Sequence, residues 1–168
     1  MWCKGNIQDS YSCDAGSIPV AAIKQEGDGM KLSKYFSYNE LVKNQDISNT
    51  QAFINIVHLC MTGLDPIREK FQKPMIITSG YRSPEYNSKI GGAKKSQHTK
   101  GEAADFIIRG VELLDVFGWI KNYHEYDQVI HEMQGEKEWI HYSYNFNLNR
   151  RVAMIARHDG NKMNYTIV

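Results

Sequence analysis

Apolar positions in the first half of the chain recur at helical spacing. Ser37-x-x-Glu40 is a capping box, which predicts a short helix through about Val42. Pro66 falls inside the longer pattern that follows and predicts a kink or a restart there, with Asp65 as a cap. That longer helix presents one apolar stripe to a core, with residues spaced three and four apart: Phe53, Ile54, Val57, Cys60, Met61, Leu64 and Ile67.

Short apolar runs dominate the second half of the chain. A capped helix is predicted to start at Ser83-Pro84-Glu85 and to end at Gly91-Gly92, and an amphipathic helix is predicted over 111–123. Strands are predicted over 74–79, 104–108, 128–132, 139–144, 151–157 and 164–168. Because helices come first and hairpin-like strands follow, we expect an α+β fold, in which an antiparallel β-sheet has helices packed on one face.

Composition narrows the range of partners. The 168 residues carry a formal net charge of +1, with 42% apolar and 23% charged side chains, which is typical of one globular domain. This balance supplies no broad positive field, so nucleic acid is not expected as a partner. Three cysteines, Cys3, Cys13 and Cys60, are too few and too scattered for a disulfide framework.

The first 29 residues differ from the rest of the chain. They are rich in Gly, Ser, Asp and Gln without periodicity, which predicts a poorly ordered N-terminal arm, and Met30 could itself be a translation start. The functional domain is therefore expected over 30–168. No run is long enough for a membrane span or a signal-peptide core. These features predict synthesis in the cytoplasm without a signal peptide, and we expect a monomer.

A histidine and a carboxylate stand out in the segment between Ser96 and Asp105. His98 precedes Asp105 by seven residues, across Gly101 and small side chains that let the backbone turn closely beneath an ion. Imidazole nitrogen and carboxylate oxygen are ligands that zinc accepts, and a catalytic zinc site needs three protein ligands. One further ligand is therefore required.

The candidate for that ligand is His141, which follows Glu138 by three residues. On a regular strand these two side chains point to opposite faces, so both reach one site only if Glu138 lies in an irregular turn after Gly135. With that geometry, Glu138 stands beside the open ligand position as a base for water. Singly, each residue is more often a solvated charge or a structural histidine.

The sequence resembles the zinc D-Ala-D-Ala carboxypeptidase family, within the lysostaphin, D-Ala-D-Ala metallopeptidase and sonic hedgehog superfamily. The resemblance rests on Ser-x-His-x-x-Gly-x-Ala-x-Asp over 96–105, on Glu-x-x-His over 138–141 and on Ser-Gly-Tyr-Arg-Ser-Pro over 79–84. It covers about residues 30–144 and is greatest to small members found in phage lysis proteins and bacterial cell-wall enzymes. It implies a hedgehog-like or D-Ala-D-Ala-peptidase-like version of the α+β fold.

The resemblance also implies roles for individual residues. His98, Asp105 and His141 would bind Zn²⁺, and Glu138 would be the catalytic base. Arg82 would stabilise the oxyanion, a task that suits a permanently charged planar donor. Ser96 and Tyr81 are expected to touch substrate.

These residues predict a zinc metallopeptidase that acts on peptidoglycan stem peptides at the bacterial cell wall. A D-Ala-D-Ala carboxypeptidase is the first interpretation, and a lytic endopeptidase of the L-Ala-D-Glu type is the alternative. A noncatalytic zinc-bearing module that binds the cell wall is a third hypothesis, from a different class. Glu138 discriminates between them, because a binding module could lose its base.

Overall fold

The computed structural model describes residues 29–45 and 47–168. The predicted arm therefore lies, apart from Gly29, outside the described residues. The helices are α1 Tyr38–Val42, α2 Thr50–His58, α3 Asp65–Phe71, α4 Pro84–Lys89 and α5 Leu113–Tyr123, with a π-helix at Leu59–Leu64 and a 3₁₀ helix at Gln97–Lys100. The strands are β1 Met75–Ser79, β2 Ala103–Ile108, β3 Gln128–Gln134, β4 Lys137–Ser143, β5 Val152–His158 and β6 Met163–Ile167.

The fold is α+β, built around one six-stranded sheet in the order β1-β2-β4-β3-β5-β6. Four of the five strand pairs are antiparallel, but β3 and β5 are parallel, so the sheet is mixed and the expected all-antiparallel sheet is wrong. The reason lies in β4, which is flanked on both sides by β2 and β3. The chain leaves β4 at the end where β3 begins and starts β5 there, on the free edge of β3, so β5 runs in the direction of β3.

Local sequence signals explain several element boundaries. Ser37 and Glu40 form the predicted capping box at the start of α1, and the Ser83 hydroxyl accepts a hydrogen bond from the Tyr86 N–H at the start of α4. Asp65 does not cap a helix, because its carboxylate instead accepts hydrogen bonds from the Ser33 hydroxyl and the Lys34 N–H. The capping residues therefore match the prediction, except at Asp65, whose side chain binds a segment that is distant in the sequence.

The long helical region buries only part of the predicted stripe, since Cys60, Leu64 and Ile67 are buried as expected. Ile54 is 42% exposed and Met61 is 57% exposed, so both point away from the core. Ile54 lies in regular α2 and Met61 in the π-helix that follows it, and both are on the side opposite the buried positions. The fully buried positions are Ala52, Ile56, Leu59, Cys60, Leu64 and Ile67.

One face of the sheet is apolar and packs against helices. Helix α5 contacts β3 and β4, and the π-helix approaches Tyr142 of β4 so closely that a Cβ on Gly63 would overlap the tyrosine ring. Residues of this face form the core, including Ala104, Phe106, Val129, Ile140 and Tyr142. No helix within the described residues has the length and apolar character required to span a membrane.

The opposite face of the sheet is polar where β2, β4 and β3 adjoin. Register partners in neighbouring strands share a face, and Asp105 of β2, His141 of β4 and Ile130 of β3 lie in one such row. The sheet therefore places the chemistry-bearing side chains on the face turned away from the main core.

Candidate metal centre

His98 is held in place by its own short helix and by a backbone carbonyl. It lies in the 3₁₀ helix, which ends at Gly101 in a left-handed conformation with φ of 72°. A Cβ at Gly101 would overlap the Ala52 carbonyl oxygen, so the tight turn requires glycine. The His98 Nδ1 lies 2.7 Å from the Gly80 carbonyl oxygen. Because a carbonyl only accepts, Nδ1 carries the proton and the neutral ring presents the Nε2 lone pair.

Asp105 and His141 meet the His98 ring from adjacent strands. They are direct register partners in β2 and β4, and the His141 Nδ1 lies 2.8 Å from the Asp105 Oδ1. The His98 Nε2 lies 3.2 Å from the same carboxylate oxygen and 3.3 Å from the His141 Nδ1. The three predicted ligands, which we call the triad, are thus brought together as buried residues.

The donor set of the triad fits a metal ion. At ligand distances of about 2.0 to 2.2 Å, tetrahedral zinc ligands lie about 3.3 to 3.6 Å apart, so the closest triad pair, at 2.8 Å, would have to separate by about 0.5 to 0.8 Å. The Nε2 lone pair of neutral His98 faces an Asp105 oxygen, and two electron-pair donors in that position are satisfied by a cation between them. Among the described residues, this is the group of histidine and acidic side chains suited to hold an ion.

Electrostatics keep the Asp105 carboxylate ionised. Burial alone would raise the pKa of Asp105, but the neighbouring His98 and His141 rings outweigh it and hold the pKa well below its ordinary range. Its second oxygen, Oδ2, accepts a hydrogen bond of 2.8 Å from the Arg82 Nη2. The Arg82 Nε in turn donates to the Ser79 hydroxyl at 2.9 Å. Arg82 therefore lies at the triad, where it orients the carboxylate.

Glu138 lies elsewhere. It is inside β4, paired with Met133 of β3, and is not in an irregular turn, because that turn occupies only the residues around Gly135 and β4 begins at Lys137. Three residues along a regular strand reverse the face, so Glu138 points away from His141. Its Oε2 instead lies 2.7 Å from the Nε2 of buried His131. The expected position of Glu138 beside the open ligand site is thus wrong.

Glu132 lies on the same face of the sheet as His141, where Glu138 had been expected. It pairs with Trp139, two residues from His141, so Glu132 and His141 are diagonal neighbours on one face, about 7 to 8 Å apart at their backbones and within reach of long side chains. Burial raises the pKa of Glu132, and the negative Asp105 adds to this, whereas His141 and Arg82 lower it. Sequence alternation along β3, which separates Glu132 from Val129 and His131, was the signal that could have found it.

An open cleft of about 710 Å³ runs over the triad, and Arg82, Glu132 and Trp139 line it. Ser96 also lines the cleft, as expected of a residue that touches substrate. Tyr81 does not, because it is buried in the hydrophobic core and its N–H donates to the Leu41 carbonyl oxygen. Its expected contact with substrate has no support in the structure.

The chain matches one protein family over most of its length and is similar to individual proteins over a shorter part. Residues 34–143 match the family model of Peptidase M15, which is more than half of the chain. Over 50 residues the chain is 46% identical to the peptidoglycan L,D-endopeptidase MepK of Escherichia coli (strain K12) and, equally, to that of Shigella flexneri. The match covers 27% of this chain and 28% of each relative, so the chain spans less than a third of their length.

Proposed function

The chain belongs to the Peptidase M15 family, and we propose that it is a zinc-dependent peptidase that hydrolyses amide bonds in peptidoglycan stem peptides. The observation that carries this proposal is the buried triad of His98, Asp105 and His141 at the floor of an open cleft. Two imidazoles and one carboxylate are a ligand set of catalytic zinc sites, which leave one position for water or substrate. The related peptidoglycan L,D-endopeptidases favour a cell-wall substrate.

In this proposal His98, Asp105 and His141 would hold the ion. When bound, zinc acts as a Lewis acid that polarises a carbonyl and lowers the pKa of water toward about 7. The Gly80 carbonyl fixes the His98 tautomer, and Arg82 fixes the carboxylate through its other oxygen. Such outer contacts orient metal ligands and maintain their affinity.

We assign the general base to Glu132 in place of Glu138. Glu132 takes a proton from the attacking water and passes it to the leaving amine nitrogen. Its raised pKa suits both transfers, because a carboxylate with a pKa nearer the working pH is the better proton acceptor and donor. Arg82 faces the same cleft, and its guanidinium donates hydrogen bonds to the carbonyl oxygen as negative charge develops there.

The bond that is cut has two candidates. The triad serves the ion and the amide, so it favours neither a D-Ala-D-Ala carboxypeptidase, our first interpretation of the sequence, nor an endopeptidase. The similarity to L,D-endopeptidases favours the endopeptidase. We place the peptidase domain at residues 30–168, as a monomer with the hedgehog-like arrangement of its family, acting at the cell wall.

Mass spectrometry of the products formed from purified muropeptides tests this proposal. We expect cleavage that a chelator abolishes and that added Zn²⁺ restores. Release of single D-Ala identifies the carboxypeptidase, whereas division of the stem identifies the endopeptidase. If the chain cleaves no stem peptide in the presence of Zn²⁺, the proposed function is wrong.

Metal analysis of variants tests the ligands separately. We expect about one zinc per purified wild-type chain and a loss of that zinc in His98→Ala. His158→Ala is the matched control, because His158 lies in β5, contacts the N–H of Gly160 and does not line the cleft. If His98→Ala keeps its zinc, the ligand assignment is refuted.

A further inference from the structure

One wall of the cleft comes from the part of the chain that follows the family match. The match ends at residue 143, yet Arg150, Met154 and Tyr165 line the cleft together with the triad. These residues belong to the loop after β4 and to β5 and β6. The surface that faces a bound peptide is thus partly built by residues with no assigned role.

Arg150 is the charged group of this wall, and it is held rigidly. Its Nε donates to the Asp127 Oδ1 at 2.8 Å and its Nη2 donates to Oδ2 at 2.5 Å, while its backbone N–H donates to Oδ1 at 2.9 Å. Asp127 is only 2% exposed and also accepts from the Gln97 Nε2 at 2.6 Å. Because Gln97 adjoins the ligand His98, this network connects the guanidinium to the triad.

The guanidinium retains binding capacity. Two of its five N–H donors are used by Asp127, the remaining three stay available for another acceptor, and the side chain is 53% exposed. Lys95 lines the same cleft and has no ion pair within the part of the chain that the structure describes. A fixed planar fork binds a carboxylate with little loss of side-chain entropy, and Lys95 is a second cation in the same cleft.

The strand register gives the distance from the triad. Asp127 lies three residues before Ile130, the register partner of His141, which corresponds to about 10 Å along the strand. This span is the reach of about three extended peptide residues. A carboxylate held by Arg150 is therefore two or three residues away from a bond positioned at the triad.

We propose that Arg150 is a specificity-determining residue that binds a carboxylate of the substrate two or three residues from the cleaved bond. This inference rests on the proposed function and deepens it, because it names an anionic peptide as the substrate class. The neighbouring Arg151 provides a matched control. It pairs with Glu125 and with the backbone carbonyl of His124, outside the cleft.

The experiment combines variants with modified peptides. Zinc-loaded full-length wild type, Arg150→Gln and Arg151→Gln are compared on the peptide L-Ala-D-Glu-L-Lys-D-Ala-D-Ala, on the same peptide with the D-Glu carboxyl amidated, and on the peptide with an amidated C-terminus. Initial rates give kcat/KM for each pair. Calorimetry on a Glu132→Gln background measures binding without relying on turnover.

We expect Arg150→Gln to lower kcat/KM and affinity about tenfold or more for the unmodified peptide, as for a lost charge-assisted hydrogen bond. One of the two amidated peptides should show the same loss with wild type and no further loss with Arg150→Gln. Arg151→Gln should match wild type throughout. An equal loss on all three peptides would mean that Arg150 only supports Asp127, and absence of any Arg150-dependent binding would equally overturn the inference. Arg150-dependent binding without cleavage by wild type would refute the proposed function alone.

Discussion

Replacing Glu132 or Glu138 by glutamine, one at a time, tests which face of the sheet carries the general base. Glu132→Gln and Glu138→Gln remove the same charge from neighbouring strands and change the side-chain volume little. The register places Glu132 as a diagonal neighbour of His141 on the cleft side, whereas Glu138 points to the opposite side and contacts His131. Because the chemical change is the same in both variants, comparing them tests the effect of side-chain position alone.

The expected effects on activity differ by orders of magnitude. General-base catalysis contributes about 10² to 10⁴ in rate, so Glu132→Gln should lower kcat/KM by about a hundredfold or more. Glu138→Gln should stay within about twofold of wild type, because no atom of Glu138 lines the cleft over the triad.

The effects on stability should run the other way. Glu138→Gln weakens a hydrogen bond to a buried imidazole, and because the Glu138 side chain is 44% exposed the loss should be about 1 kcal/mol or less. Glu132 has a folded-state pKa above its unfolded value, so its ionised form at neutral pH opposes folding. A neutral glutamine removes that cost, and the Tm of Glu132→Gln should equal or exceed that of wild type.

The assay measures kcat/KM on muropeptides together with zinc content and thermal unfolding of each variant. Zinc content identifies variants whose activity falls through lost metal. If Glu138→Gln lost activity at full zinc occupancy while Glu132→Gln kept it, the assignment of the two faces would be wrong.

Three further variants test the surroundings of the triad. Arg82→Lys keeps the charge but loses the paired contacts to Asp105 and Ser79, so zinc affinity should fall along with kcat, as measured by metal titration and kinetics. Gly101→Ala should lower the free energy of unfolding by more than about 1 kcal/mol in denaturant titrations, because its φ of 72° and the Ala52 carbonyl exclude a Cβ. Asp127 has a pKa below its ordinary value because the Arg150 hydrogen bonds outweigh burial, so its stabilisation is present above about pH 4 and lost as pH falls through the folded-state pKa. In unfolding scans, the difference in the free energy of unfolding between wild type and Asp127→Asn should decrease as the pH falls below about 4.

The triad was predictable because its signals are local. His98 and Asp105 are joined by a short turn that needs Gly101, and His141 lies in the buried half of β4. The residue types and their spacing, together with the family resemblance, therefore singled out three residues that the structure brings together. The structure adds that Asp105 and His141 are direct register partners, which a single sequence does not specify.

The position of Glu138 was mispredicted because it depends on a turn. The interpretation of Glu138 required irregular backbone up to that residue, but the β3–β4 hairpin turns tightly at Gly135 and Glu138 already alternates with its neighbours. A shift of one residue in a strand moves every side chain to the other face. Alternation along β3 marks Glu132 as a candidate, but only the hairpin register shows that Glu132, and not Glu138, shares a face with His141.

The predicted buried stripe of the helix and the predicted antiparallel sheet were partly wrong for the same kind of reason. Ile54 and Met61 point outward although both fit a regular 3.6-residue pattern, because packing against the rest of the fold decides which side of an apolar helix is buried. The parallel pairing of β5 depends on which sheet edge is still free after β4 has paired with β2 and β3. Both are tertiary facts that local propensity does not contain.

Two parts of the chain form the cleft, and only the first of them lies within the family match. The ligands and Glu132 lie between residues 98 and 141, inside the family match, whereas Arg150, Met154 and Tyr165 lie after it. In the proposed mechanism, metal and proton chemistry depend on the first part, and the choice of peptide depends on groups farther along the cleft. A relative that shares 50 residues with the chain can therefore share its chemistry and still cut a different bond. The wall that follows β4 is the part of the molecule where that difference should be sought.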